Sequence, residues 1–129
     1  MVYGDAIVCG NARISCDAIV CGNADVYGDA EVYGDAIISG DAIVTSQKDY
    51  IVFKNSWSSF RWFTYTKSNR MWKVGCFYGT GQELIEKAYK DSEKSGKCYE
   101  AYVNLVLELE KLDGTTRIIF RKYRNNFNC

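Results

Sequence analysis

The side chains that could do chemistry in this chain are carboxylates, thiols, aromatic rings and a cluster of bases. Acids or amides recur at Asp5, Asn11, Asp17, Asn23, Asp29, Asp35 and Asp41, a fixed interval of six. Such a series could hold calcium, but the glycine-rich nonapeptide pattern of calcium-binding repeats is absent. Hydrogen bonding to local backbone is the better account. Six cysteines (Cys9, Cys16, Cys21, Cys76, Cys98 and Cys129) show neither a CxxC motif nor paired spacing. The chain has no histidine, so a thiol nucleophile has no imidazole to activate it and a zinc site lacks nitrogen donors. No metal and no cofactor is expected.

Two further clusters invite a binding role. Gly79-Thr80-Gly81 precedes a helical pattern, and its N–H groups could meet an anion; with no P-loop lysine nearby, an ordinary helix cap is preferred. In the tail, Arg117, Arg121, Lys122 and Arg124 interleave with Phe120, Tyr123 and Phe127. Such a segment could hold phosphates and stack bases. It could equally bring its charge to the acidic repeats of a neighbour, and both readings stand. Trp57, Arg61, Trp62, Tyr65 and Trp72 combine aromatic faces with one charge and form the candidate recognition surface. For Trp62 and Trp72, core packing is the stronger alternative.

The elements that must position these residues begin with a repeat. Aliphatic residues fall at Val2, Val8, Ile14, Val20, Val26, Val32, Ile38 and Val44. From Val2 to Ile38, glycine follows two residues later each time except at Cys16, then the acid or amide, then alanine from Ala6 to Ala42. A strict interval of six does not match a helical period. It suits short strands with the β-branched residue turned inward and glycine at the turn.

Residues 2–46 resemble the bacterial hexapeptide-repeat proteins, whose left-handed β-helices place three hexads in each triangular coil. The resemblance implies a short left-handed parallel β-helix, in which residues eighteen apart stack and Val2, Val20 and Ile38 form one inward column. Eight hexads make fewer than three coils, so the ends need covering, and a homo-oligomer (dimer or trimer) is expected. Ile7 and Ile43 on one face, and Ile19 and Ile37 on another, are the candidate oligomer interface. That family is known chiefly for acyltransferases that use a histidine base between subunits. With no histidine and no long extruded loop, an enzyme is not expected here.

After Val44 the period stops. Segments 50–55, 59–67 and 71–77 read as a three-stranded antiparallel meander, with a slip between Phe60/Trp62 and Phe63/Tyr65 that suggests a bulge. Thr80 and Glu83 have capping-box spacing ahead of a helix over 81–94. Segment 97–112 fits a helix, which is preferred, and also a hairpin strand. A short strand over 117–122 could follow. The fold class is therefore a mixed β-solenoid plus α+β, with domains at 1–46 and 47–129.

The second part resembles a three-strand-plus-two-helix module that follows short hexapeptide repeats in small proteins of phage and gut-bacterial genomes. "DYIVF", "GCFYGTGQELIEKA" and "YEAYVNLVLELEK" carry that resemblance, which brings no known activity. It implies interference with a bacterial defence system, by binding an effector protein or sequestering a small nucleotide signal, in the cytoplasm of the host cell. The alternatives are an atypical acyltransferase-like enzyme and a nucleic-acid binder acting through the tail.

Charge divides the chain as sharply as the repeat does. Residues 1–46 carry seven acids and one base, Arg13, a net of −6, and the remainder carries the balancing +6. Two solvated surfaces are the plainer explanation; partner recognition is the other. No apolar run has membrane length, and no secretion signal follows Met1, so reduced thiols are the expected state.

Overall fold

Each hexad gives only two residues to extended backbone, because the glycine and acid that follow turn the chain at once. The computed structural model describes residues 1–15 and 17–113. Seven such strands form: β1 (Ile7–Val8), β2 (Arg13–Ile14), β3 (Ile19–Val20), β4 (Asp25–Val26), β5 (Glu31–Val32), β6 (Ile37–Ile38) and β7 (Ile43–Val44). They pair in parallel, each with the strand eighteen residues on, as in Val8↔Val26 and Val20↔Ile38. The result is three small sheets: β1-β4-β7, β2-β5 and β3-β6. The glycine turn is sterically required at Gly22, where φ is +66° and a Cβ would sit 2.9 Å from the Gly40 nitrogen.

The aliphatic and alanine positions meet inside. Val20, Val26, Val32, Ile38 and Val44 are fully buried, together with Ala24, Ala30, Ala36 and Ala42. Half-buried Val8 and Ile14 pack against this cluster at one end, and Tyr50 and Val52 also pack against it.

Beyond a short 3-10 turn at Gln47–Asp49 come β8 (Tyr50–Lys54), β9 (Trp62–Thr66), β10 (Met71–Val74) and β11 (Phe77–Thr80). They form one antiparallel sheet in the order β11-β10-β9-β8. The expected fold class is thereby corrected. No solenoid is detected: the repeats yield two-residue strands in sheets of two or three, since eight hexads supply too few strands for longer ladders. The expected three-stranded meander is a four-stranded sheet. Segment 71–77 is not one strand, because the chain reverses at Gly75, whose φ is +56°, and Val74 pairs with Phe77 across the turn. The expected bulge is absent too. Phe60 takes a φ of +60° ahead of β9 and never enters the sheet, which accounts for the slip in the pattern.

Two helices follow, α1 (Gly81–Asp91) and α2 (Glu93–Asp113). The capping box forms: Glu83 N–H donates to Thr80 Oγ1 at 3.2 Å, and Thr80 N–H donates to Glu83 Oε1 at 2.9 Å. A break at Ser92 ends α1 earlier than the spacing suggests, and Ser92 Oγ accepts from Ser95 N–H at 3.0 Å to start α2. Segment 97–112 is helical, with Tyr99, Val106 and Glu110 buried along one stripe. Tyr89 lies so close over Gly96 that any Cβ there would overlap its ring, and its hydroxyl donates to Glu100 at 2.8 Å. The described residues divide into a compact unit Met1–Leu84 and a second that begins at Ile85. No helix among them is long and apolar enough to cross a membrane.

Candidate functional site

Strand alternation sorts the aromatic residues of the sheet onto two faces. The register pairs Lys54 with Trp62, Val52 with Thr64 and Tyr50 with Thr66 on one face. Ile51 pairs with Tyr65, Phe53 with Phe63 and Trp72 with Tyr65 on the other. This second face is a closed aromatic cluster: Tyr65 and Trp72 rings lie 4.9 Å apart, and Phe53 stacks on Trp72 at 6.0 Å. Tyr65 and Trp72 are 3% and 1% exposed. They are core residues, and their candidacy as recognition residues is corrected by that burial.

Trp62 has the opposite fate. It is 43% exposed, so the core packing preferred for it does not hold. Lys54 Nζ lies over its ring, 5.5 Å from the centroid. Arg61 is exposed just ahead of β9, and its carbonyl accepts from Asn55 N–H at 2.9 Å. Trp57 sits half-buried on a tight turn built by Asn55, whose Oδ1 accepts from the N–H groups of Trp57 and Ser58 at 3.1 and 2.9 Å. Arg117, Arg121, Lys122 and Arg124, with the strand expected over 117–122, lie outside the described residues, as do Cys16 and Cys129.

The isoleucine faces also separate. Ile7 and Ile43 are exposed, but Asp25 stands between them in the ladder, so the row is not a continuous apolar stripe. Ile19 and Ile37 pair directly and are half-buried. The Ile37 N–H donates to Thr64 Oγ1 of β9 at 3.0 Å, which ties that edge to the four-stranded sheet.

Where Trp62 emerges, the sheet and the repeats enclose a cleft of about 390 Å³, within the usual range of small-ligand sites. Its lining comes from three stretches: Tyr33, Gly34 and Asp35; Gln47; and Tyr50, Ile51, Val52 and Trp62. Tyr50 is pinned by donating its hydroxyl to the Glu31 carbonyl at 2.9 Å. Burial pushes its phenol above the ordinary range, with a Tyr33 backbone hydrogen bond opposing and the neighbouring Tyr33 and Glu31 adding to the rise. Gln47 donates to Glu31 Oε1 at 2.8 Å. By contrast, the Tyr33 hydroxyl, the Asp35 carboxylate and the Trp62 indole N–H make no hydrogen bond among the described residues. A second hollow, lined by Glu93, Lys94, Lys97 and Cys98, is a groove beside a single turn of α2 and joins no other segment.

Sequence reasoning singled out Trp62 but missed Tyr33, Asp35, Gln47 and Tyr50 as its neighbours. The one available signal was Tyr33 at a non-core hexad position. No family model, curated protein or solved structure matches this chain.

Proposed function

We propose that the protein is a non-catalytic binding protein that assembles with a second copy of itself and offers its sheet and cleft to a partner. The observation that carries self-association is a gradient of burial along equivalent hexad positions. Val2 is 44% exposed, whereas Val20 and Ile38, in register with it, are 0% exposed. Near Val2, Met1, Tyr3 and Ile7 are exposed as well. β1 and β2 each have a strand partner on one side only among the described residues.

Edge strands carry unpaired N–H and C=O groups, and a two-fold axis brings the donors of one copy to the acceptors of the other. Charge favours a second copy over a strongly basic partner at this end. Residues 2–17 hold Asp5, Asp17 and Arg13, a net of −1, while residues 18–46 hold five acids and no base. Two copies meeting at their least charged edge avoid the repulsion they would meet elsewhere on the repeats.

Sedimentation equilibrium over a range of protein concentrations tests this. The unaltered chain is expected to associate, and Ile7→Lys, an edge-strand charge at an exposed position, is expected to leave a folded monomer. A chain that stays single at every concentration sinks the proposal.

A further inference from the structure

We infer that the cleft beside Trp62 binds a planar heteroaromatic ring bearing an exocyclic amine, an amino-purine or amino-pyrimidine base or its nucleoside, in preference to the phosphorylated form. The inference rests on the binding-protein reading above but not on self-association.

The shape argues first. Tyr33, Tyr50 and Trp62 surround the cleft with Ile51 and Val52, and a Cβ built on Gly34 meets nothing within 4 Å, so the floor beside Tyr33 is open. Aromatic walls of this kind reward a flat, polarisable guest, because stacking tolerates any π face. Trp62 is held by Lys54, which is not a lining residue, so its ring is steadied from outside the cleft.

The polar groups argue second. A cleft wall with an apolar body and a few free polar tips orients its guest through those tips. Asp35 supplies an acceptor for an amine. The Trp62 N–H supplies a donor for a ring nitrogen, and the Tyr33 hydroxyl serves as either. Tyr50 and Gln47 are not available in the same way, since both are committed to Glu31.

Charge argues third. Asp35 is the only acidic or basic side chain in the lining, and Gln47, also in the lining, is bonded to a further carboxylate, that of Glu31. A carboxylate with no basic side chain beside it in the lining favours an amine and opposes a phosphate.

Isothermal titration calorimetry tests the assignment with adenosine and cytidine, with their 5′-monophosphates, and with inosine and uridine, which lack the exocyclic amine. Saturable binding is expected for at least one amine-bearing nucleoside, about tenfold tighter than its monophosphate or its amine-free counterpart. Asp35→Asn is expected to weaken that binding by about tenfold, and Trp62→Ala to remove it. Circular dichroism would verify that both variants remain folded. Failure of every nucleoside to bind, tighter binding of the monophosphates, or unchanged affinity in Trp62→Ala would each overturn the inference. Repeating the titration with Ile7→Lys separates the two proposals: retained binding in a monomer upholds the cleft independently, whatever the association state of the unaltered chain.

Discussion

The two ends of the repeat region are made of the same six-residue unit, yet among the described residues one is sealed by side chains and the other is not. At the later end, backbone donors that no further hexad could satisfy are taken up by side chains. Ile37 N–H finds Thr64 Oγ1, Ile43 N–H finds Ser68 Oγ at 2.8 Å, and Thr45 N–H finds Asp49 Oδ2 at 2.7 Å. Asp49 Oδ2 also accepts from Ser46 N–H and from the Thr45 hydroxyl. At the earlier end, β1 and β2 keep an unpaired edge among the described residues, and Val8 and Ile14 stay half-buried. A repeat cannot terminate itself, because every unit presents the same unmet edge to the next. The non-repeating sheet supplies that termination at one end, and a second copy is the economical candidate for the other.

The sharpest way to break this comparison is one substitution made at both ends. Ile38 and Ile14 occupy the same hexad position, the first at 0% exposure and the second half-buried. Ile38→Ala should cost about 2–5 kcal/mol, a transfer loss plus an enclosed cavity. Ile14→Ala should cost about 1 kcal/mol or less in the monomer, since water already reaches the site. Urea denaturation at several protein concentrations measures both. Equal, concentration-independent losses would mean that the open end is as closed as the other and would remove the basis for self-association. A loss for Ile14→Ala that grows with concentration would instead show that a second copy covers it.

Much of this contrast was legible before the structure. The interval of six located every two-residue strand and marked Val20 to Val44 as interior, because β-branched residues at a constant spacing have one physical use. The pairing of Thr80 with Glu83 was readable for a similar reason, being a local hydrogen-bond exchange written into four residues. Parity would also have divided Trp62 from Tyr65, since an odd separation along a strand places them on opposite faces. What spacing does not contain is the length of each ladder, the reversal at Gly75, or a conformation such as that of Phe60. The cleft was beyond reach because it unites residues from 33 to 62 through the docking of β8 and β9, which no local pattern encodes.

The side-chain caps sharpen the comparison at a smaller scale. Thr64 is 1% exposed, so Thr64→Val keeps its shape while leaving the Ile37 N–H without an acceptor. A buried, unsatisfied donor costs about 1–3 kcal/mol. Ser68 is exposed, and water can replace its hydroxyl at the Ile43 N–H, so Ser68→Ala should cost about 0.5 kcal/mol or less. Native-state hydrogen exchange adds a local readout: the Ile37 amide should lose protection strongly in Thr64→Val, and the Ile43 amide only slightly in Ser68→Ala. Similar, near-zero losses from both would show that the sheet does not seal this end through its hydroxyl groups.

The same closure also has a consequence that depends on pH. Tyr50 packs against the repeat core, donates to the Glu31 carbonyl, and has its phenol raised chiefly by burial. A phenol whose folded value lies above its unfolded value, about 10, holds its proton more tightly in the native state. Its contribution to stability is therefore complete below that unfolded value and is lost as pH rises through the folded one. Tyr50→Phe gives up the hydrogen bond, about 0.5–1.5 kcal/mol at neutral pH, but has no proton to lose. The stability curves of the two proteins should converge as pH climbs above about 10. Tyr78, also raised chiefly by burial, leaves some alkaline sensitivity in both. Curves that run parallel through the alkaline range would mean that Tyr50 is as well hydrated in the native chain as in the unfolded one, and that the sheet closes this end more loosely than its hydrogen bonds imply.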